Sequence, residues 1–225
     1  ARPPAVAVAG RWTTKSRSDP LMSDDPSGGP GGADADMDGF YRTADRYLDT
    51  ANALMGAETP ARIGAAFMYG CARFSAFALQ AQFEDAAQRR EDLWDGLCDA
   101  FEGELRDHML QRLRNALETG QGTASGEALD VLVALNGMDE RARSVFLRLC
   151  DNFVRVANDL IAEDGVARAS AAFLHACTRF NAYLLQREGL EAGVVDEALV
   201  TDFRQVFADL LRFHMDQTLI VPDAR

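Results

Sequence analysis

Residues 61–80 read ARIGAAFMYGCARFSAFALQ, and residues 167–186 read ARASAAFLHACTRFNAYLLQ. The two stretches are 106 residues apart, the difference between Cys177 and Cys71, and the register holds without a gap from Phe40/Phe146 to Leu113/Leu219. Self-similarity of this length means one supersecondary unit built twice. At 100° per residue, Ile63, Phe67, Gly70, Cys71, Phe74, Phe77 and Ala78 share one broad face. Ala61, Ala65, Met68, Ala72, Ala76 and Leu79 lie beside it. A helix apolar over so much of its circumference is buried on most sides. The spacing therefore predicts a central helix in each unit, with small residues admitting close neighbours. It also predicts aromatic core positions at Phe67, Phe74, Phe77, Phe173, Phe180 and Tyr183.

Outward from this helix the pattern is helical throughout. Phe40, Ala44, Tyr47, Leu48, Ala51, Leu54 and Met55 form the stripe of a first helix starting near residue 37. Thr59 caps the next helix and Pro60 opens it, where its missing N–H costs nothing. Leu93, Leu97, Phe101, Leu105, Met109 and Leu113 form the seam of a third helix over about 88–117. The second copy predicts helices over about 139–162, 166–187 and 194–219, and a short helix is expected over 127–135. The fold expected is all-α: two tandem three-helix units packed as a pseudo-dimer, with a short connecting helix and a disordered N-terminal tail. The boundaries are 1–36 for the tail, 37–117 for repeat one, 118–138 for the linker and short helix, and 139–221 for repeat two. The acid-poor stretch before Met22-Ser23-Asp24-Asp25 reads as lying upstream of the native start.

Composition narrows the function. A net charge of −12 argues against nonspecific nucleic-acid binding and against anionic membranes. No apolar run reaches the ~20 residues that span a bilayer. Cys71, Cys98, Cys150 and Cys177 have neither CxxC nor metal-type spacing and fall within apolar helical patterns, so they read as buried thiols of a reducing cytoplasm. Low lysine with abundant Ala, Gly and Asp points to a GC-rich bacterial coding sequence.

One polar strip runs along the central helix: Arg62, Tyr69, Arg73 and Gln80, matched by Arg168, His175, Arg179 and Gln186. Asp45 and Asn52 edge the first helix, and Asp151 and Asn158 match them. Counting outward from an antiparallel hairpin turn near Glu58 sets Asp45 opposite Arg73, and Asp151 opposite Arg179. The expectation is one ion pair within each repeat. If buried, breaking either pair would cost roughly 3–5 kcal/mol. Asp45, Asn52, Arg62, Arg73, Gln80, Asp151, Asn158, Arg168, Arg179 and Gln186 are thus the candidate site. They fix hairpin register on a structural reading, or hold an anionic ligand or partner on a functional one.

These residues resemble a bacterial family catalogued as domain of unknown function 3144. Its pattern opens F-Y-x-x-A-D, continues with A-N, and then runs A-A-x-M-Y-A-A-A-R-F-N-A. Copy one has Phe40-Tyr41, Ala44-Asp45, Ala51-Asn52 and the run from Ala65-Ala66 through Arg73-Phe74-Ser75-Ala76. Copy two has Phe146, Asp151, Ala157-Asn158, Ala171-Ala172-Phe173 and Arg179-Phe180-Asn181-Ala182, with His175 and Cys150 where the pattern has tyrosine and alanine. The resemblance implies a small helical bundle and no assigned activity.

No nucleophile elbow, P-loop or dinucleotide fingerprint occurs. His108 and His214 are repeat-equivalent and could meet near a pseudo-twofold axis. Leu105 and Leu211 stand three residues before them, so neither repeat has the Glu-x-x-His of di-iron bundles. Glu104 and Asp107 become Leu210 and Phe213 in the second copy. Accordingly no catalytic residue, metal or cofactor is assigned. The chain reads as a non-enzymatic helical module acting through protein contacts, monomeric as a fused pseudo-dimer. The alternative is a small-molecule-binding or catalytic bundle with a pocket between the repeats.

Overall fold

The computed structural model of the chain describes residues 32–119, 140–189 and 195–219. The connecting helix expected over 127–135 and most of the expected tail lie outside the described residues. The elements are α1 (Gly32–Leu54), α2 (Pro60–Gln82), α3 (Arg90–Thr119), α4 (Glu140–Gly189) and α5 (Glu197–Thr218). No strand occurs among the described residues. The architecture is all-α and repeats once.

Local chemistry sets the helix ends. Thr59 accepts a hydrogen bond from the Arg62 N–H at 3.4 Å, and Pro60 opens α2 behind it. Asp196 accepts from the Ala198 and Leu199 N–H groups at the start of α5. α1 begins at Gly32, inside the stretch expected to be tail. The two helices expected over 139–162 and 166–187 run together as α4. Gly165 alone breaks them, at φ 81° and ψ 159°, giving a first arm over 140–164 and a second arm over 166–189. Only glycine adopts that backbone at little cost.

The packing departs from the expected hairpins. α1 and α2 barely touch; α1 packs on α4, α2 on α4 and α5, and α3 on α4 and α5. The two arms of α4 meet through the rings of Phe153 and Phe173, 6.4 Å apart, as α1 and α2 do through Tyr47 and Phe67 at 6.5 Å, and α4 packs along both arms on repeat one. The fold is therefore an intertwined pseudo-dimer, in which every large interface joins the two repeats.

Equivalent residues meet where the repeats cross. Phe101 stacks on Phe207 at 4.3 Å with planes 6° apart, and Phe67 lies 5.7 Å from Phe173. Away from this axis the contacts come in matched pairs. Tyr47 stacks on Phe173 at 4.4 Å and Phe67 on Phe153 at 4.2 Å. Arg106 pairs with Glu197 at 2.9 Å and Arg212 with Glu91 at 2.7 Å.

α2 is buried over most of its length, as its composition requires. Close approach is needed at Gly64, where a Cβ would lie 2.5 Å from Leu184 Cδ1 and 2.9 Å from Asn181 Oδ1. Phe67, Phe74, Phe173 and Phe180 are buried. Two expected core positions are not: Phe77 is 44% exposed, and Tyr183 is half-buried beneath the Arg112 guanidinium, 5.1 Å from the ring centre. All four cysteines are free and buried, and burial pushes the Cys98 thiol up to about 12 and raises Cys150 as well. They are packing residues in their thiol form.

A polar cleft between the repeats as candidate functional site

The candidate strip splits up in the structure. Arg73 pairs with Asp151 at 3.3 Å and Arg179 with Asp45 at 3.4 Å, so neither expected pair within a repeat forms and the same four side chains pair across the repeats instead. The physical reason is the intertwining: α1 lies on the second arm of α4, and the first arm of α4 lies on α2. These side chains are 44–65% exposed, so each pair contributes at most ~1 kcal/mol, well below the value for a buried pair. Arg62 pairs with Glu58 at 2.6 Å, and Arg168 pairs with Asp36 and, at 3.9 Å, with Asp164. Asn52, Gln80 and Asn158 are exposed. The side chain of Gln186 lies outside the described residues.

What the structure does gather is a different set. An open cleft of about 430 Å³ is lined by Tyr41, His108, Gln111, Arg112, Asn115, His175 and Arg179. α1 supplies the tyrosine, α3 the run from His108 to Asn115, and the second arm of α4 supplies His175 and Arg179. Glu104 lies one turn before His108 on α3, on the same face. Its Oε2 is 3.2 Å from His175 Nδ1 and 3.2 Å from the Thr178 hydroxyl. That hydroxyl also lies 2.9 Å from the His175 carbonyl, and its single proton serves one acceptor at a time. The His108 and His175 rings meet edge to face at 4.7 Å, and Phe40 and Tyr41 hold the other side of His175 at 5.4 and 5.7 Å. One donor atom each from Glu104, His108 and His175 lie within 4.8 Å of one another.

The electrostatics of the cleft are cationic. Burial, followed by the charges of His175, Arg179 and Arg112, holds His108 down at about 3, so it is neutral near pH 7. Burial and then the Arg179 charge lower Arg112. Bringing two guanidiniums together in a partly desolvated cleft costs free energy that a bound anion would offset.

The pseudo-twofold axis supplies an internal comparison. In the equivalent region Tyr69 stands for His175, Leu210 for Glu104, Ala72 for Thr178, Leu147 for Tyr41 and Thr218 for Arg112. His214 there packs edge to face on Tyr69 at 4.7 Å, the same separation as His108 from His175. The same backbone arrangement thus holds without Glu104, His175 or Arg112: its counterpart keeps Arg73, His214 and Gln217 but has leucine, tyrosine and threonine at those three positions.

Sequence reasoning missed this cleft for two reasons. It paired His108 with His214, whereas each histidine has a separate aromatic partner, His175 for one and Tyr69 for the other. It also tested for glutamate three residues before His108, whereas Glu104 stands four before it and shares its face equally well. The available signal was the disagreement between copies: Tyr69/His175 and Glu104/Leu210 both map to the two equivalent clefts.

Comparison with known families matches the one described as "Protein of unknown function (DUF3144)" twice, over residues 40–113 and 146–219, more than half of the chain. No curated protein and no solved structure matches it.

Proposed function

We propose, for a chain that belongs to this family as two fused copies, a binding module that takes a small anionic ligand in one of its two equivalent clefts and performs no chemistry on it. The observation that carries this reading is the asymmetry. Leu210, Tyr69 and Thr218 fill one half of the molecule, so packing does not demand Glu104, His175 and Arg112 in the other half. Charged groups held partly desolvated without a packing requirement are the mark of a binding site. Arg112 and Arg179 offer guanidinium N–H donors, and Gln111 and Asn115 can turn their amide N–H groups, toward an oxyanion in the cleft. Four buried free thiols fit a reducing compartment such as the cytoplasm.

The test is calorimetric titration with inorganic phosphate at constant ionic strength. Wild type is expected to bind one equivalent, Arg112→Ala and Arg179→Ala to bind at least tenfold more weakly, and Arg73→Ala in the mirror region to bind like wild type. Equal affinity in all four proteins, or no binding in any, would sink the reading. A protein-contact role draws on a separate observation, the exposure of Phe77 and Phe213 at 44% and 50%. Phe77→Ser and Phe213→Ser would abolish partner capture without altering phosphate binding if contacts are the function.

A further inference from the structure

Glu104 and His108 stand four residues apart on α3, so both side chains leave the same helical face one turn apart. His175 reaches them from the second arm of α4, in the other repeat. Two imidazoles and one carboxylate that converge from two packed helices are a ligand set for borderline first-row ions. We propose that Glu104, His108 and His175 form a binding site for a divalent transition cation, zinc-like in ligand preference, with an open coordination position facing the cleft.

The geometry fits with little adjustment. Donors on a tetrahedral ion with bonds of about 2.0–2.2 Å stand roughly 3.4 Å apart. Glu104 Oε2 and His175 Nδ1 are already 3.2 Å apart, and all three donors lie within 4.8 Å. Side-chain rotation covers the remaining difference. Thr178 stands 3.2 Å from the Glu104 carboxylate, placed to orient a ligating oxygen as outer partners do in metal sites. The nearby guanidiniums of Arg112 and Arg179 oppose a bare cation. The Glu104 charge and Asp45, 3.4 Å from Arg179, offset them. Three protein ligands leave a position for an exogenous one. In a cleft with two guanidiniums that ligand is an anion. The mirror region has no such set, because Leu210 and Tyr69 replace Glu104 and His175.

The site shares its cleft with the anion reading but rests on different residues, so either can fail alone. The experiment is titration of the metal-free full chain with Co(II), followed by visible ligand-field bands, with Zn(II) as competitor. The expected result is one equivalent of Co(II), displaced by Zn(II), with affinity falling at least tenfold in each of Glu104→Gln, His108→Gln and His175→Gln. His214→Gln is expected to bind like wild type, and far-ultraviolet circular dichroism checks that every variant is folded. Absent bands in wild type, bands unchanged in folded His175→Gln, or equal loss in His214→Gln would each overturn the assignment. Phosphate calorimetry on the metal-free protein reads the anion site separately.

Discussion

At the scale of residues, the two buried or half-buried histidines of α3 and α5 show how one position serves two purposes. His108 faces His175 and Glu104; its equivalent His214 faces Tyr69 and, through space, Arg73 on α2. Burial first and the Arg73 charge second hold His214 down at about 4. Its Nε2 is buried with no hydrogen-bond partner among the described residues. A histidine whose folded value lies below its unfolded one is a liability in acid. The stability present above the unfolded value of about 6.5 is lost as pH falls toward 4, because the unfolded chain takes up the proton first. His214→Phe keeps a ring against Tyr69 and removes the proton site. Urea unfolding at pH 7.5 and pH 5.0 is expected to show wild type losing about 1–2 kcal/mol more than the variant. Parallel losses in the two proteins would contradict the assignment. The same scale shows what was legible: Arg73, Arg179, Asp45 and Asp151 were identifiable as pairing partners from spacing alone. Their exchange was not, because a count outward from a turn presupposes that the helices on either side of it pack against each other along their length.

At the scale of elements, the helices themselves were readable because caps and stripes are local. Thr59-Pro60 and Asp196 begin helices for reasons contained within four residues of sequence. What one repeat cannot reveal is whether its helices fold back on each other or reach across to the second repeat, since both choices bury the same apolar stripes. Gly165 is where repeat two turns from one arm to the other. Its φ of 81° and ψ of 159° lie where other residues pay roughly 1–3 kcal/mol, and an added Cβ there would meet nothing within 4 Å. Gly165→Ala therefore isolates the backbone cost from any clash. It is expected to lower the unfolding free energy by roughly 1–3 kcal/mol. Gly56→Ala in the corresponding connection of repeat one, also free of contacts and without a positive φ, should change it little. Equal stability of Gly165→Ala and wild type would show that the break tolerates an ordinary residue and is not what separates the two arms.

At the scale of the whole molecule, exchange of helices makes the cleft a joint product. α3 of repeat one carries Glu104 and His108, and α4 of repeat two carries His175 and Arg179. A lone repeat one has α1 and α2 barely in contact, and its central helix keeps most of its apolar surface for the other repeat. It is expected not to fold as a monomer, because its large interfaces are all with the missing repeat. Two copies of repeat one can still exchange helices with each other, since the packing faces are shared. Such a homodimer sets Tyr69 where His175 belongs, and so lacks one of the three proposed ligands. Fragments 32–119 and 140–219 test this directly. Light scattering should find each fragment self-associated or unfolded, the equimolar mixture as a one-to-one complex, and the intact chain as a monomer. Thermal unfolding of the mixture should be sharper and higher than that of either fragment. Co(II) bands should arise in the mixture and in neither fragment alone. A folded, monomeric 32–119 fragment would contradict the intertwined arrangement. Bands in that fragment would place the metal ligands within one repeat, which residues 40–113 cannot supply once Tyr69 takes the place of His175.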